Sequence, residues 1–346
     1  MRGEKIVSLD AISGNYDSIK KAAGAAEVIG VIKADAYGHG GAEVAKCLGL
    51  KMYAVATVSE ALEIREVMPS SEILVLGKTF SDEYEACVKN RISLTVDSES
   101  EVLKLCKTAK DMHVSAYVHL AINTGMNRIG AKYDKPLNKF VNAINESKNV
   151  VLSGAFTHFY SAEEDACLMQ SNRFLSALTE AKITGVIKHA AATTAIKYER
   201  LHMDAVRPGV GLYGYGLNGL TPAMTVKGKV VAINRVAAGE TVGYDGKFKA
   251  KRNEYVATLS LGYADGIKRR CGGVVLIGGK KRDMVGNVCM DTSFALADEK
   301  VKIGDEVVFI GRQKNAEITA EELAKRYGTI AYDVLTGFKR IKTVYL

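Results

Sequence analysis

The chain has 346 residues, 47% of them hydrophobic and 25% charged, with four prolines and a formal net charge of +8. That balance excludes a disordered or fibrous chain, and no apolar run approaches the roughly 18 residues that a membrane-spanning helix needs. The charge does not read as nucleic-acid recognition, because acidic residues are interspersed throughout and the densest basic clusters, 247–252 and 268–270, lack interleaved aromatics.

The length suggests two domains, or one large barrel with an appendage. The start Met1-Arg2-Gly3-Glu4-Lys5 lacks the apolar core of a signal peptide, which predicts a cytoplasmic protein. Six dispersed cysteines, Cys47, Cys87, Cys106, Cys167, Cys271 and Cys289, show no metal-ligand spacing, so neither a disulfide framework nor a zinc site is expected. Residues 5–9 are expected to pair as a strand with the C-terminal part. Short apolar, β-branched runs then recur near 26–32, 52–56, 73–76, 92–96, 114–121, 151–157, 186–190 and 203–207, separated by amphipathic helical stretches. Helix starts of capping-box form stand at Thr57-Val58-Ser59-Glu60 and at Ser98-Glu99-Ser100-Glu101, and a longer helix is expected over 162–181. Eight strand–helix units predict an α/β fold: an N-terminal (β/α)8 TIM-like barrel over 1–219. Beyond Tyr215 the texture changes to strand-like segments at 226–236, 255–261, 274–277 and 307–310, with one helix signal after Thr319. A predominantly β C-terminal domain over 220–346 is therefore expected, with the boundary near 218–222.

Catalytic groups of such barrels gather at the C-terminal ends of the strands. Lys33 ends the first strand and opens the segment Lys33-Ala34-Asp35-Ala36-Tyr37-Gly38-His39-Gly40. An amine there is either a solvated lysine or, with its pKa lowered by burial, a nucleophile toward aldehydes. Arg128 follows strand five, His158 ends strand six, His189 ends strand seven and Arg207 closes strand eight. Thr193 and Thr194 open a predicted helix after strand seven, and Gly209 turns after strand eight. This arrangement reads equally as a plain N-cap or as the usual barrel phosphate site. A lysine, a phosphate site and a strand-end arginine in one barrel mouth together point to pyridoxal 5'-phosphate held as a Schiff base.

The segment Val31-Ile32-Lys33-Ala34-Asp35-Ala36-Tyr37-Gly38-His39-Gly40 resembles the cofactor-lysine signature of bacterial alanine racemases. The resemblance continues, in order, through 123–130, 206–214, Gly262-Tyr263-Ala264-Asp265-Gly266, Val285-Gly286-Asn287-Val288-Cys289-Met290-Asp291 and Ile330-Ala331-Tyr332-Asp333. It implies that Lys33 holds the cofactor and serves as one acid/base group, with Tyr263 as the other on the opposite face of the substrate Cα. It also implies that Arg207 faces the pyridine nitrogen with His189 behind it, and that His158 lies beside Tyr263. Tyr37, Thr193, the backbone of Gly209 and Val210, and Tyr332 would hold the phosphate. Arg128 and the Met290 N–H would take the substrate carboxylate, flanked by Cys289 and Asp291. In the family the tyrosine and the Cys-Met-Asp segment come from a second subunit, so a homodimer with composite sites is implied.

Two positions depart from the family pattern. Ala121 and Asn123 stand where a lysine and an aspartate are common; that lysine positions the carboxylate-binding arginine, and a bound anion such as chloride, or Asn123 itself, would have to substitute. Ala191-Ala192-Thr193 replaces a common Asn-Ser, which leaves the phosphate contact open between Thr193 and Thr194. Pyridoxal-dependent decarboxylases of the same fold type carry a His-Val-Gly-Ser-Gly loop and a cysteine motif absent here, and a noncatalytic pyridoxal carrier would not need the β domain. Tyr332 matches the residue that limits room near the substrate side chain in alanine enzymes, which favours alanine with serine as a secondary substrate. The family's usual service is D-alanine for peptidoglycan.

Overall fold

The computed structural model describes residues 2–269 and 272–346; Met1, Arg270 and Cys271 lie outside the described residues. The chain divides into two compact units, one of residues 12–36 and 40–221, the other of residues 1–11, 37–39 and 222–346.

The first unit is built on parallel strands: β2 (Glu27–Val28), β3 (Gly30–Val31), β4 (Met52–Val55), β5 (Glu72–Val75), β6 (Ile92–Val96), β7 (Ala116–Asn123), β9 (Val150–Phe156), β10 (Ile187–Ala192) and β11 (Ala205–Arg207), with the short β8 (Ala131–Lys132) beside β7. Their order is β2-β11-β10-β9-β7-β6-β5-β4-β3, every pairing parallel. Because β2 and β3 are two pieces of one extended stretch divided only by Ile29, the sheet closes on itself: Ile29 donates its N–H to Val206 O on one side and Ile32 donates to Ala54 O on the other. The eight-stranded barrel expected from the sequence is the fold observed. Strands β4 and β6 are buried along their whole length, as continuous apolar runs covered by helices must be. The split at Ile29 is not visible in the apolar run 26–32.

Helix starts follow local side-chain chemistry. Thr57 Oγ1 accepts the Glu60 N–H at 3.3 Å while the Glu60 carboxylate accepts the Thr57 N–H, completing the box that opens the helix Val58–Val67. The box expected at Ser98 does not form: the Ser98 hydroxyl donates to Glu101, whose carboxylate is drawn instead to Lys78 and the Asp97 N–H. The helix predicted to open at Thr193 is a single 3-10 turn, Thr193–Ala195.

The second unit is mostly β. Strand β1 (Gly3–Val7) runs antiparallel to β12 (Met224–Val236) and parallel to β15 (Lys342–Tyr345). The long β12 then serves two neighbours, β14 (Glu306–Gln313) along 226–229 and β13 (Glu254–Leu259) along 230–236, with a register shift between Val226 and Lys227 in the first pairing and between Val230 and Ala232 in the second. Val236, Val242, Ala250, Val256 and Val285 form a small core. The one helix signal is realised as Ala320–Tyr327, capped by Thr319 Oγ1 and ended by Gly328 at φ +67°.

Candidate active site

The residue after Lys33 begins an unusual turn. Ala34, Asp35, Ala36 and Tyr37 all lie at φ between +51° and +54°, a left-handed helical run that costs about 1–2 kcal/mol per non-glycine residue. The surrounding hydrogen bonds over-determine it. Glu60, the same residue that completes the capping box, accepts the Ala34 N–H at 2.7 Å; Asp35 accepts the Gly41 N–H at 2.7 Å; and Ala36 donates to Ile32 O at 2.8 Å. Strain stored this way beside a functional group fixes where the group points.

The Lys33 amine is half-buried at the strand end, and its pKa is lowered by burial and then by the positive charges of Arg128 and Arg207, with Glu60 as the one nearby acid opposing them. Arg207 is fully buried. Its guanidinium donates through one nitrogen to His189 Nδ1 (2.6 Å) and His189 O (2.7 Å), and through the other to Thr157 O (2.8 Å) and Ala190 O (3.1 Å), with His158 Nδ1 at 3.4 Å. It also rests over the Phe156 ring, 5.3 Å from the centroid. Burial, then Arg128, lowers its pKa to about 9.

An arginine only donates, so His189 must present Nδ1 as an acceptor and carry its proton on Nε2. That Nε2–H has one acceptor, His119 Nδ1 at 3.0 Å, which forces the His119 proton onto its own Nε2, a buried atom without a partner among the described residues. Burial and Arg207 push His119 down to about 3 and hold His189 well below the usual histidine range; His158 is likewise lowered to about 3 by burial, Arg207, Arg128 and Lys33. All three imidazoles are neutral near pH 7. The sequence reading missed His119; its signal is Gly154 on the adjacent strand, where a Cβ would collide with the His119 ring.

Thr193 is buried, and its Oγ1 accepts the N–H groups of both Gly209 and Gly211 at 3.1 Å, stitching the turn after strand β10 to the turn after β11. Gly209's N–H is thus engaged within the protein. The donors this corner offers a ligand are the Thr193 hydroxyl proton and the Val210 N–H, which has no partner among the described residues. Arg128 is exposed at the loop after β7 and has neither a hydrogen bond nor an ion pair among the described residues. At position 121 a buried alanine methyl packs in the barrel, and Asn123 turns its side chain onto the loop itself.

The remaining candidates belong to the second unit. Tyr37 and Tyr332 pack with ring centroids 5.8 Å apart, and both phenol pKa values are raised: burial acts on both, with Tyr332 adding to it at Tyr37. Gly38 follows, where a Cβ would lie 2.7 Å from Leu335 O. Tyr263 opens a 3-10 turn, Tyr263–Asp265, and is 39% exposed. Its N–H donates to Cys289 O and that of Ala264 to Met290 O, both at 3.0 Å, so the two loops that carry Tyr263 and Met290 share a backbone seam. Asp265 and Asp291 are bridged by Arg2 and Arg340: Arg2 reaches Asp265 at 2.9 Å and Asp291 at 3.2 Å, and Arg340 reaches Asp291 at 3.0 Å. Hydrogen bonds from Arg340 and Arg2 lower the Asp291 pKa. Among the described residues there is no cluster of three or more His, Cys, Asp or Glu able to hold a metal ion, and no helix long and apolar enough to cross a membrane.

The sequence matches the alanine racemase N-terminal domain over residues 7–216 and the alanine racemase C-terminal domain over residues 223–345. The alanine racemase of Carboxydothermus hydrogenoformans is 37% identical, with 98% of each chain covered. Among solved structures, an alanine racemase from Clostridium difficile 630 aligns with a TM-score of 0.92 at 34% identity, covering 100% of this chain and 96% of that one. One from Bartonella henselae, solved with covalently bound pyridoxal phosphate, aligns at 0.91 and 26% identity over 100% of both. With a barrel that delivers a lysine amine at a strand end, these likenesses make the chain an amino-acid racemase, an isomerase. It belongs to the alanine racemase family.

Proposed function

We propose that the protein interconverts L-alanine and D-alanine with pyridoxal 5'-phosphate as cofactor. The observation that carries this reading is the charge imbalance at the barrel mouth: Lys33, Arg128 and Arg207 repel one another, Glu60 opposes them at Lys33, and Arg128 has no partner among the described residues. Such a site fits a ligand bearing several negative charges, as a phosphate ester and an amino-acid carboxylate together do. When bound, the cofactor supplies an electron sink that acidifies the substrate Cα–H.

The protein's part is to bind, orient and move protons. Lys33 would hold the cofactor through its aldehyde carbon and, once the substrate amine has displaced it, would serve as a base, a role that its lowered pKa favours. Arg207, held in place by the His189–His119 chain, would face the pyridine nitrogen as a donor that does not give up its proton. The Thr193 hydroxyl, the Val210 N–H, Tyr37 and Tyr332 would hold the phosphate, with Gly209, whose own N–H is bound to Thr193 Oγ1, setting the turn that presents Val210. Arg128 and the Met290 N–H receive the substrate carboxylate, with Cys289 and Asp291 beside them. Tyr263 Oη and Lys33 Nζ act on opposite faces of Cα, one removing the proton and the other returning one. His158 stands beside this pair. We also propose that Tyr263 and the 289–291 segment reach the site from a second subunit, making a homodimer with two composite sites, and that the enzyme supplies D-alanine for peptidoglycan in the cytoplasm.

Chiral chromatography of the protein incubated with pyridoxal 5'-phosphate and either pure enantiomer tests the reading. Both enantiomers should converge on a 1:1 mixture. No conversion of alanine refutes it, and serine converted severalfold faster than alanine refutes the substrate assignment; serine is the less favoured choice, since the relatives are alanine racemases.

A further inference from the structure

The loop that carries Arg128 is fastened at both ends. At its start, Asn123 Oδ1 accepts the N–H groups of Gly125 (3.1 Å) and Asn127 (3.0 Å), and Asn123 Nδ2 donates to Asn127 Oδ1 (3.0 Å), so the side chain closes a small ring around the turn. At its end, Gly130 donates its N–H to Asp97 Oδ2 at 2.9 Å. Gly130 sits at φ +110°, and a Cβ there would lie 2.7 Å from the Asn123 N, so the exit of the loop lies against its entrance.

Asp97 is itself held. Lys78 Nζ reaches Asp97 Oδ1 at 2.8 Å and also pairs with Glu101, whose other carboxylate oxygen accepts the Asp97 N–H at 2.9 Å. Three neighbouring elements of the barrel rim meet here: Lys78 beyond β5, Asp97 beyond β6, and the loop beyond β7. The three side chains are only 33%, 22% and 15% exposed, which separates this group from an ordinary solvated ion pair. Arg128 lies between the two fastened ends, its guanidinium unpaired among the described residues. The chain thus fixes the backbone under Arg128 rather than its charged head.

We propose that Asp97, locked by Lys78 and Glu101, is the positioning residue for Arg128, and that this rim cluster sets the affinity of the site for a substrate carboxylate. The proposal rests on the reading of Arg128 as the carboxylate ligand. It accounts for a buried alanine at position 121: the backbone is anchored from the neighbouring strand ends, so no side chain from within β7 is needed to brace the arginine. Loosening Gly130 gives the loop more conformations from which Arg128 must be gathered on binding, which weakens binding of the carboxylate more than it slows proton transfer at Cα.

The test uses the cofactor-loaded protein with alanine as substrate and propionate, which is alanine without its amino group, as a competing carboxylate. Asp97→Ala should raise the alanine KM and the propionate inhibition constant together, by about 5- to 20-fold, with kcat within about twofold. Asp97→Asn keeps an amide oxygen for the Gly130 N–H but turns its NH2 toward Lys78, so it should recover only part of that loss. Lys78→Met should fall between them. In the cofactor-free protein, the Gly130 amide should exchange with deuterium faster in Asp97→Ala than in the parent. Unchanged propionate affinity in Asp97→Ala, with Arg128→Gln weakening it, overturns the inference and leaves the role of Arg128 standing. Unchanged affinity in Arg128→Gln overturns the reading of Arg128 itself. Should Asp97→Ala fail to fold, Lys78→Met decides, and an unaltered KM in that variant overturns the inference.

Discussion

Gly154 is the position where the buried relay behind Arg207 is most exposed to a single change. A methyl group at 154 would fall against Nδ1 and Cε1 of His119 and 2.8 Å from Ile187 Cγ2. The ring would have to retreat by about 1 Å to restore ordinary contact, which carries Nδ1 out of hydrogen-bond range of His189 Nε2, now 3.0 Å away. Overpacking of this kind costs about 1–3 kcal/mol, and orphaning the buried His189 Nε2–H adds about 1–3 kcal/mol. Gly154→Ala should therefore lower stability by about 2–6 kcal/mol, which for a unit of this size is a fall in Tm of about 4–24 °C. His119→Ala also orphans His189 but opens space for the new methyl. The double substitution should be no less stable than His119→Ala alone, and more stable than the sum of the single losses by at least about 1 kcal/mol. Thermal unfolding of the four cofactor-free proteins, followed by circular dichroism, closes the cycle. Additive losses would refute the claim that Gly154 exists to admit the His119 ring.

Lys33→Met should stabilise the cofactor-free protein near neutral pH. Burial, Arg128 and Arg207 hold the native pKa below the usual 10.5, so between those values the unfolded chain binds more protons and wild-type stability climbs with pH; Tm measured against pH should show the variant's advantage vanish above about 10.5. Ala34→Val should lower Tm, because a β-branched residue resists φ +53°, while Ala34→Gly should leave it level or raise it by a few degrees; equal effects of the two would contradict the left-handed turn. Arg340→Gln should change Tm little, since Asp291 is exposed and the buried Asp265 keeps its closer partner Arg2 at 2.9 Å, yet speed amide exchange at Tyr263 and Ala264; unchanged exchange would show that the loop seam holds without the arginine.

The strands were legible because a barrel strand buried on both faces must be a continuous apolar run, and 52–56, 73–76 and 92–96 are such runs. The box at Thr57 was legible because both of its partners lie within four residues. The same pattern at Ser98 failed for a reason no local reading contains: Glu101 finds a lysine from the preceding strand end. Ala34 to Tyr37 carry no preference for positive φ, so only the flanking Gly38 and Gly40 hinted at an unusual backbone, and neither hinted at its hand. His119 lies within an apolar strand and gave no signal alone; it needs Gly154, 35 positions away, before its ring has space. Thr193 was read as a helix start, whereas its hydroxyl is taken by two N–H groups of the Gly209–Gly211 turn, a contact that exists only once β10 and β11 are paired.

The central claim, that Lys33 is the amine on which the cofactor is carried, is tested most directly by reducing the pyridoxal 5'-phosphate-loaded protein with borohydride and mapping its peptides by mass spectrometry. The account predicts one phosphopyridoxyl group per chain, on the peptide containing Lys33, and none on Lys33→Ala. A label spread over surface lysines, or one that persists unchanged in Lys33→Ala, would contradict it.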